Sequence, residues 1–236
     1  MIISQIRVQD LAEIFAMPTA LNVRDTDVRI LDDGLRLDCI DPSHVAMASV
    51  RAYLDIANGE DDDEIVNIEI GALNEALGKF AKTDLVDVFV RDGKVTIKAE
   101  KSKRTFRLNA PSEAKPPRIP ELDLEVRVSV PLAEIRKAVK FGGDIGDHYT
   151  IDSFGGVLAM TAESDEGCSA TYEFGPCEDS VRVMIQSDYM ANVIKALPTA
   201  EDVTLEMTTD YPMRFMASNG TIEVMALIAP RIETDD

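Results

Sequence analysis

The stretch "PLAEIRKAVKF" (131–141) returns, in the second half of the chain, to a pattern already present near its beginning. Its first residues match "DLAEI" (10–14) at an offset of 121 positions. Within it, Leu132, Ile135 and Val139 form one apolar stripe at helical spacing. The stretch therefore predicts an amphipathic helix, and its earlier counterpart suggests that the chain contains a duplication.

Two further matches support a duplicated unit. Lys79 matches Lys195 at an offset of 116, and "LNAP" (108–111) matches "LIAP" (227–230) at an offset of 119. Self-similarity at a nearly constant spacing is the signature of a repeated structural unit. The 236 residues thus divide into two units of roughly 120 residues each.

Each predicted unit combines helices with antiparallel strands. Helical spacing marks four segments of about 9–13 residues, each with one buried face. The four begin near Leu11, Leu73, Leu132 and Met190. Between them, short alternating runs flank turn signals, which predict β-hairpins. These signals are "DDG" (32–34), "RDG" (91–93), "DEG" (165–167) and "SNG" (218–220). The fold class predicted is α+β, with two similar domains.

A proline-rich segment separates the two units. Four of the 11 prolines fall between Pro111 and Pro120. Because proline cannot donate to a β-ladder and holds the preceding residue extended, this segment predicts a semi-rigid connector outside both sheets. We expect domains at 1–108 and 121–236, a connector at 109–120, and a strand formed by "RIPELDL" (118–124).

Composition indicates an intracellular protein without a catalytic motif. No apolar run is long enough for a membrane span, and the N-terminal residues lack a secretory pattern. The three cysteines cannot all pair, and the two histidines, His44 and His148, belong to no recognisable motif. We expect a protein that is not secreted, cytoplasmic or nuclear if eukaryotic, with no enzymatic activity, metal or other cofactor.

The acidic run "NGEDDDEI" (58–65) is predicted to be a solvated loop. It lacks the ligand spacing and the glycine of a calcium-binding loop. A metal-dependent hydrolase that uses this run remains an alternative.

Positive charge is placed selectively in this acidic chain, whose net charge is −19. Basic residues lie on the predicted outer faces of three of the four helices, which favours contact with a polyanion. They are Lys79, Lys82, Arg136, Lys137, Lys140 and Lys195. The first helix differs, because it carries Asp10 and Glu13 and no basic residue between Arg7 and Arg24.

Four segments, in order over the whole length, resemble the archaeal and eukaryotic sliding clamps, the proliferating cell nuclear antigen family. They are "LDCIDPSHVAMASV" (37–50), "RIPELDLEV" (118–126), "FGGDIGDHYTI" (141–151) and "ALIAPRIE" (226–233). The resemblance implies the DNA clamp fold, in which each domain has two helices on curved antiparallel sheets. It also implies a homotrimeric ring whose helices line a hole around duplex DNA and which confers processivity on DNA polymerase.

By this resemblance, the six basic residues named above are the DNA-binding residues of the hole. The basic residue usual in the first helix is missing, and Asp188 stands where some relatives have a base. The implied DNA contact is therefore loose and independent of sequence.

The resemblance also implies how subunits join. The strand "KRTFRLNA" (103–110) of one chain would pair with "GCSATYEF" (167–174) of the next. The implied interface residues are Arg104, Phe106, Arg107, Tyr172 and Phe174.

A peptide groove under the connector is the last implied site. In the family it takes a glutamine, an aliphatic residue and two aromatics from replication and repair proteins, which include DNA polymerase, the clamp loader, flap endonuclease and ligase. The matching residues are Ile40, His44, Val45, Met47, Pro117, Ile119, Pro212, Leu227, Ala229, Pro230 and Ile232. A checkpoint-type or heteromeric clamp subunit, and a scaffold that never touches DNA, remain alternatives.

Overall fold

The computed structural model describes residues 2–57, 64–110 and 117–232. The residues 58–63 of the acidic run and 111–116 of the connector lie outside this description. The chain forms two compact units. The first comprises Met1–Pro42, Ala48–Ile119 and Gly220–Glu223, and the second comprises Ser43–Met47, Pro120–Asn219 and Val224–Asp236.

The N-terminal half of the chain contains three helices and nine strands among its described residues. In chain order they are β1 (Ile2–Arg7), α1 (Val8–Ile14), α2 (Ala16–Ala20), β2 (Asp25–Leu31), β3 (Gly34–Ile40), β4 (Ala46–Tyr53), β5 (Ile56–Ala57), β6 (Ile65–Glu69), α3 (Ile70–Leu77), β7 (Leu85–Arg91), β8 (Lys94–Lys98) and β9 (Lys103–Arg107).

The C-terminal half contains two α-helices, eight strands and a short 3₁₀ turn at Phe154–Gly156 in its described part. The elements are β10 (Val126–Pro131), α4 (Leu132–Gly142), β11 (His148–Asp152), β12 (Val157–Glu163), β13 (Ser169–Pro176), β14 (Arg182–Gln186), α5 (Ser187–Ala196), β15 (Asp202–Met207), β16 (Met213–Ser218) and β17 (Ile222–Ile228).

The two halves repeat one plan, which confirms the predicted duplication and the α+β class. In the first, β1 runs directly into α1 and β6 into α3; in the second, β10 runs into α4 and β14 into α5. The strand order is β5-β1-β7-β8-β9 and β4-β3-β2-β6 in the first half, and β13-β12-β11-β14 and β10-β15-β16-β17 in the second. The strand pairs in both halves are antiparallel.

The apolar stripes of the helices form part of each core, as predicted. In α4, Leu132 and Ile135 are buried, and in α5, Met190, Val193 and Ile194 are buried. Burying a large aliphatic side chain contributes about 1.5–3 kcal/mol, so these faces fix the helices on their sheets.

The helices of the first unit are shorter than predicted. Helix α1 has 7 residues and ends before Phe15, whose backbone is not helical, and a separate 5-residue α2 contains Pro18. Helix α3 has 8 residues and ends at Leu77, because Gly78 is a weak helix former and the chain turns there. The predicted range of about 9–13 residues is therefore wrong for α1 and α3.

The four predicted hairpin turns are present between β2 and β3, β7 and β8, β12 and β13, and β16 and β17. At "RDG", Asp92 and Gly93 have φ values of 52° and 66°, which is the left-handed pair that a two-residue hairpin turn requires. At "DDG", a Cβ atom on Gly34 would lie 1.8 Å from the carbonyl oxygen of Ala52, so only glycine fits.

The connector prediction needs two corrections. Asn109 does not lie outside the sheets, because it forms an isolated antiparallel bridge with Asn67 of β6. Residues 118–124 form no strand, and the regular ladder of β10 begins only at Val126. Pro120 cannot donate to a ladder, which is one physical reason for the late start. In the described ranges, no helix is long and apolar enough to cross a membrane.

Candidate functional site

The basic residues of α4 are exposed but differ in their surroundings. Arg136 Nη2 donates to the carbonyl oxygen of Leu197 at 3.2 Å, just after α5 ends. Lys137 Nζ donates to Glu134 Oε1 at 2.6 Å, one turn earlier on the same helix. This hydrogen bond raises the pKa of Lys137. Both cations therefore already have acceptors within the second unit.

Lys140 and Lys195 lie in the last turns of α4 and α5, where a positive charge interacts favourably with the helix dipole. Both side chains are exposed. Neither has a hydrogen bond or ion pair to another residue in the described part of the chain. Of the basic residues on these two helices, they are the most available to an external anion.

Lys79 and Lys82 do not lie on a helix, which corrects the prediction of their setting. Both are exposed in turns beyond Leu77, where α3 ends. The carbonyl oxygen of Lys82 accepts a hydrogen bond from Gln9 N at 3.0 Å, which ties this turn to α1. They remain exposed cations of the first unit without forming a helical stripe.

The acidic character of the first helix is partly neutralised. Arg7 Nε donates to Asp10 Oδ2 at 2.8 Å, across the start of α1. The arginine that comes just before the helix thus compensates one of its two acidic residues.

The two strands implied for subunit contact both lie at a sheet edge in their own unit. Strand β9 ends the order β5-β1-β7-β8-β9, and β13 ends the order β13-β12-β11-β14. The strands cover 103–107 and 169–176, so each differs by a few residues from its predicted range. Arg104 and Arg107 are exposed on β9, and Phe106 is half-buried. An edge strand presents unpaired backbone groups, which is the geometry needed to add another strand.

An aromatic cluster lies beside the edge strand β13. The rings of Tyr172 and Phe174 are 5.6 Å apart, and Phe141 from α4 lies 6.4 Å from Tyr172. Phe141 is 61% exposed, which is unusual for so large an apolar side chain. Sequence reasoning did not select it. The available signal was its position two residues beyond Val139, off the buried stripe of α4.

The aromatic cluster connects to the basic face of α4. The Tyr172 hydroxyl donates to Glu134 Oε2, while Lys137 donates to the other oxygen of the same carboxylate. These bonds, first that from Lys137 and then that from Tyr172, lower the pKa of Glu134. Glu134 therefore joins the edge strand to a basic residue of the helix.

The residues implied for the peptide groove fall in both units. In the first unit, Ile40 is the last residue of β3, and Pro117 and Ile119 belong to no strand; all three are half-buried. In the second unit, Ala229 N donates to the carbonyl oxygen of Val45 at 2.8 Å, so two of the residues are brought together.

The other second-unit residues of the groove set differ in exposure. Met47, Pro212 and Pro230 are half-buried, and His44 is exposed with a left-handed backbone at φ 60°. Ile232 is 68% exposed. Leu227 is only 3% exposed, so its side chain belongs to the core and offers little surface to a peptide.

A polar cluster fixes the segment after β17. Arg231 Nη1 lies 2.5 Å from Asp147 Oδ2, and His148 Nδ1 lies 2.8 Å from Asp147 Oδ1. Arg231 and, to a smaller extent, His148 lower the pKa of Asp147 to about 2. Arg231 N also donates to the carbonyl oxygen of Met184 at 2.8 Å. The sequence alone did not reveal this arrangement.

In the ranges that the structure describes, no group of three or more His, Cys, Asp or Glu side chains could hold a metal ion. Residues 58–63 of the acidic run lie outside these ranges.

Similar proteins were found among curated sequences and solved structures, while no protein-family model matches the chain. The DNA polymerase sliding clamp of Methanothrix thermoacetophila is 29% identical over 229 residues, covering 90% of this chain and 91% of the relative. The DNA polymerase sliding clamp of Methanocella arvoryzae is 28% identical over 232 residues, covering 90% and 92%.

A solved structure of the C-terminal region of FEN-1 bound to A. fulgidus PCNA matches with a TM-score of 0.87 and 24% identity, and the match covers 100% of both chains. A PCNA2–PCNA3 complex from Sulfolobus tokodaii matches with a TM-score of 0.82 and 20% identity, over 99% of this chain and 100% of the other. In fold and in sequence, the chain is thus similar to sliding clamps of the proliferating cell nuclear antigen family.

Proposed function

We propose that the chain assembles into a closed ring around duplex DNA and tethers DNA polymerase to its template. The observation that carries this proposal is the similarity to DNA polymerase sliding clamps over nine-tenths of the chain. A ring holds DNA by topology, so its grip does not depend on base sequence. We take its domains to be 1–108 and 121–236, joined by a connector at 109–120.

The distribution of charge supports passage of DNA. The net charge of −19 disfavours binding of DNA to most of the surface. Exposed basic residues nevertheless occur in both halves: Lys79 and Lys82 lie in turns beyond α3, and Lys140 and Lys195 lie on the helices of the second unit. Contacts of this kind reach phosphates and carry no sequence information, which suits a sliding protein.

Ring closure would use the two edge strands. We propose that β9 of one subunit pairs with β13 of the next, in a head-to-tail contact that closes after three copies. The basic side chains Arg104 and Arg107 would face acidic residues near β13, such as Glu173. The aromatic pair Tyr172 and Phe174 would supply apolar contact beside the paired backbones.

A heteromeric ring is the second candidate, because a complex of two different clamp chains shares this fold. Light scattering of the purified chain separates the two. A homotrimer has three times the chain mass of 25.9 kDa, whereas a subunit that needs other chains stays smaller.

We further propose that partner proteins dock short peptides at the connector. These partners include DNA polymerase, the clamp loader, flap endonuclease and ligase, each through a glutamine, an aliphatic residue and two aromatics. The candidate contact residues are Pro117 and Ile119 in the first unit, and Val45, Ala229 and Pro230 in the second. Burial of two aromatic rings supplies much of the affinity expected for such a peptide.

Substitution of Ile119 tests the groove. Ile119→Asp places a charge where an apolar ring should dock, so the peptide should lose about 100-fold or more in affinity. Titration calorimetry with a synthetic peptide measures the affinity, and light scattering checks that the oligomer is retained. Leu85→Asp is the control, since Leu85 is also apolar, is 51% exposed and is not in the groove set. Equal affinity of Ile119→Asp and the wild-type chain would show that the groove lies elsewhere.

The clamp function itself is measured by primer extension. With a clamp loader and ATP present, we expect the chain to lengthen the products of one polymerase binding event on a primed circular template. A trap of excess unlabelled primed DNA limits each polymerase to one event. Product lengths that do not change on addition of the chain would refute the proposal.

A further inference from the structure

The segment that follows the connector is held by side chains instead of a β-ladder. Arg214 Nη2 donates to the carbonyl oxygen of Leu122 at 3.1 Å. Glu125 N donates to Thr208 Oγ1 at 2.9 Å. Both donors and both acceptors belong to the second unit. The residues 120–125 are thus fixed at two points although they form no strand.

The side chain that holds Leu122 is itself part of a charged row across three strands. Arg127 on β10, Glu206 on β15 and Arg214 on β16 lie directly opposite one another in register. Arg214 Nη1 lies 2.5 Å from Glu206 Oε2, and Arg127 Nη1 lies 3.3 Å from Glu206 Oε1. One terminal nitrogen of the Arg214 guanidinium group, Nη1, therefore binds the Glu206 carboxylate, and the other, Nη2, donates to the Leu122 carbonyl oxygen.

The two arginines of this row are not equivalent. The Arg214 side chain is 18% exposed, and that of Glu206 is 10% exposed, whereas that of Arg127 is 68% exposed. Glu206 lies on the opposite face of β15 from the buried Leu205 and Met207, because successive side chains of a strand alternate. A carboxylate so far removed from water must be paired, and Arg214 is its closer and more buried partner.

We propose that Arg214 is a positioning residue for partner binding, which holds residues 120–125 and thereby limits the freedom of Pro117 and Ile119 just before them. This inference rests on the proposed peptide groove. It adds to that groove the side chain that positions Pro117 and Ile119 before a peptide binds. Pro117 and Ile119 then need less ordering when a peptide binds. Apparent affinity falls in proportion to the fraction of molecules whose site is ready, so loss of the tie should weaken binding.

Arg214→Lys separates this role from the ion pair. Lysine keeps a positive charge beside Glu206 but lacks the planar fork that serves two acceptors at once. Thr208→Val is a second, uncharged variant, which removes the other tie at Glu125 N with little change in volume. Arg127→Gln is the matched control, because it removes a cation from Glu206 without touching the segment.

The rate of trypsin cleavage measures the flexibility of the segment directly. The connector offers one cleavable bond, Arg118–Ile119, since Lys115 is followed by Pro116 and trypsin does not cut that bond. When opening is faster than cutting, the rate of cleavage follows the population of the open form. We expect cleavage after Arg118, identified by mass spectrometry, to be about tenfold faster in Arg214→Lys and faster in Thr208→Val, because a hydrogen bond is lost in each.

The control and a second readout distinguish positioning from general loss of stability. Arg127→Gln should be cut at the wild-type rate, and the melting temperature of Arg214→Lys should stay close to that of the wild-type chain. Unchanged cleavage in both Arg214→Lys and Thr208→Val would overturn the inference. The inference would also be overturned if Thr208→Val is cut at the wild-type rate, while Arg214→Lys is cut faster at many sites and has a lowered melting temperature.

Peptide binding is the last measurement. It distinguishes failure of this inference from failure of the proposed groove. Titration with a peptide containing the glutamine, aliphatic and aromatic residues should give about three- to tenfold weaker binding to Arg214→Lys than to Arg127→Gln. Equal affinities would show that Arg214 does not position the groove. Failure of the wild-type chain to bind the peptide would refute the proposed groove instead, and the trypsin result would still decide whether Arg214 holds the segment.

Discussion

Two lysines one turn apart on α4 have different neighbours. Lys137 is bonded to Glu134 at 2.6 Å, whereas Lys140 has no such acceptor among the described residues. A cation that must first leave a carboxylate gains less from a phosphate, since the two interactions compete. Lys140 should therefore contribute more than Lys137 to contact with DNA.

We expect Lys140→Ala to slow loading onto circular DNA by about two- to fivefold at low salt, which corresponds to loss of one exposed charge contact. Lys137→Ala should have a smaller effect, and the double variant should be slower than either single variant. The measurement is the loading rate as a function of salt concentration, because each lost phosphate contact flattens the salt dependence. Lys98→Ala, an exposed lysine on a strand, is the control. The same rate for Lys140→Ala and the control would contradict this role.

The interactions of Asp147 with Arg231 and His148 form an acid-sensitive tie between these residues. Arg231 and His148 lower its pKa to about 2 in the folded chain, below the ordinary value of 3.8. A group with a lowered folded pKa stabilises the fold above its unfolded pKa, and this contribution is lost as the pH falls through the folded value. The tie is fully present near neutral pH and disappears between about pH 4 and pH 2.

Asp147→Asn should lower the melting temperature by about 1–3 °C at pH 7, because the Asp147 side chain is 69% exposed and solvent screens the pair. The difference from the wild-type chain should shrink as the pH falls from about 4 to about 2. Scanning calorimetry at several pH values measures it, with Asp144→Asn as a control from the same loop. A difference that stays constant over this range would contradict the assignment of the tie to the ionised carboxylate.

At the scale of elements, the edge strands are the features on which assembly depends. Strand β9 has three basic residues in five positions, and its side chains are mostly exposed. An isolated edge of this kind is protected from random pairing by its charge, and its charge also selects an acidic partner edge.

Reversal of one charge on β9 tests whether the charge of this strand selects an acidic partner edge. Arg107→Glu should raise the dissociation constant of the oligomer by about tenfold, because like charges then meet at the joint. Light scattering on dilution measures it. Lys98→Glu is the control, because it makes the same charge change on β8, which is not an edge strand. Oligomers of equal stability in the two variants would place the subunit contact elsewhere.

Elements with a local cause could be predicted from sequence. The stripes of α4 and α5 and the hairpin turn at Asp92 and Gly93 depend on residues a few positions apart, and all were predicted. The end of α3 was misjudged because the apolar spacing continues to Phe80. Helix α2 was missed because Pro18 argues locally against a helix.

Features made by distant residues could not be predicted in this way. The link from Tyr172 through Glu134 to Lys137 joins positions 38 residues apart, and the hold of Arg214 on Leu122 joins positions 92 apart. Spacing within a segment carries no information on such contacts. The groove and interface residues came from family resemblance, and the burial of Leu227 shows where resemblance and packing differ.

At the scale of the whole molecule, an acidic chain with selectively placed cations is consistent with a protein that surrounds DNA without gripping it. Sliding clamps are non-enzymatic, so the predicted absence of a catalytic site agrees with the family. The proposed activity depends on topology: the chain must form a ring, and the ring must be closed around the duplex.

Retention on circular DNA tests whether the ring is closed around the duplex. Labelled protein is loaded by a clamp loader onto nicked circular DNA, isolated by gel filtration, and the DNA is then cut once with a restriction enzyme. We predict that the protein stays on the intact circle and slides off the ends once the DNA is linear. Equal retention on circular and linear DNA, or no retention on the circle, would contradict a ring that encloses the duplex.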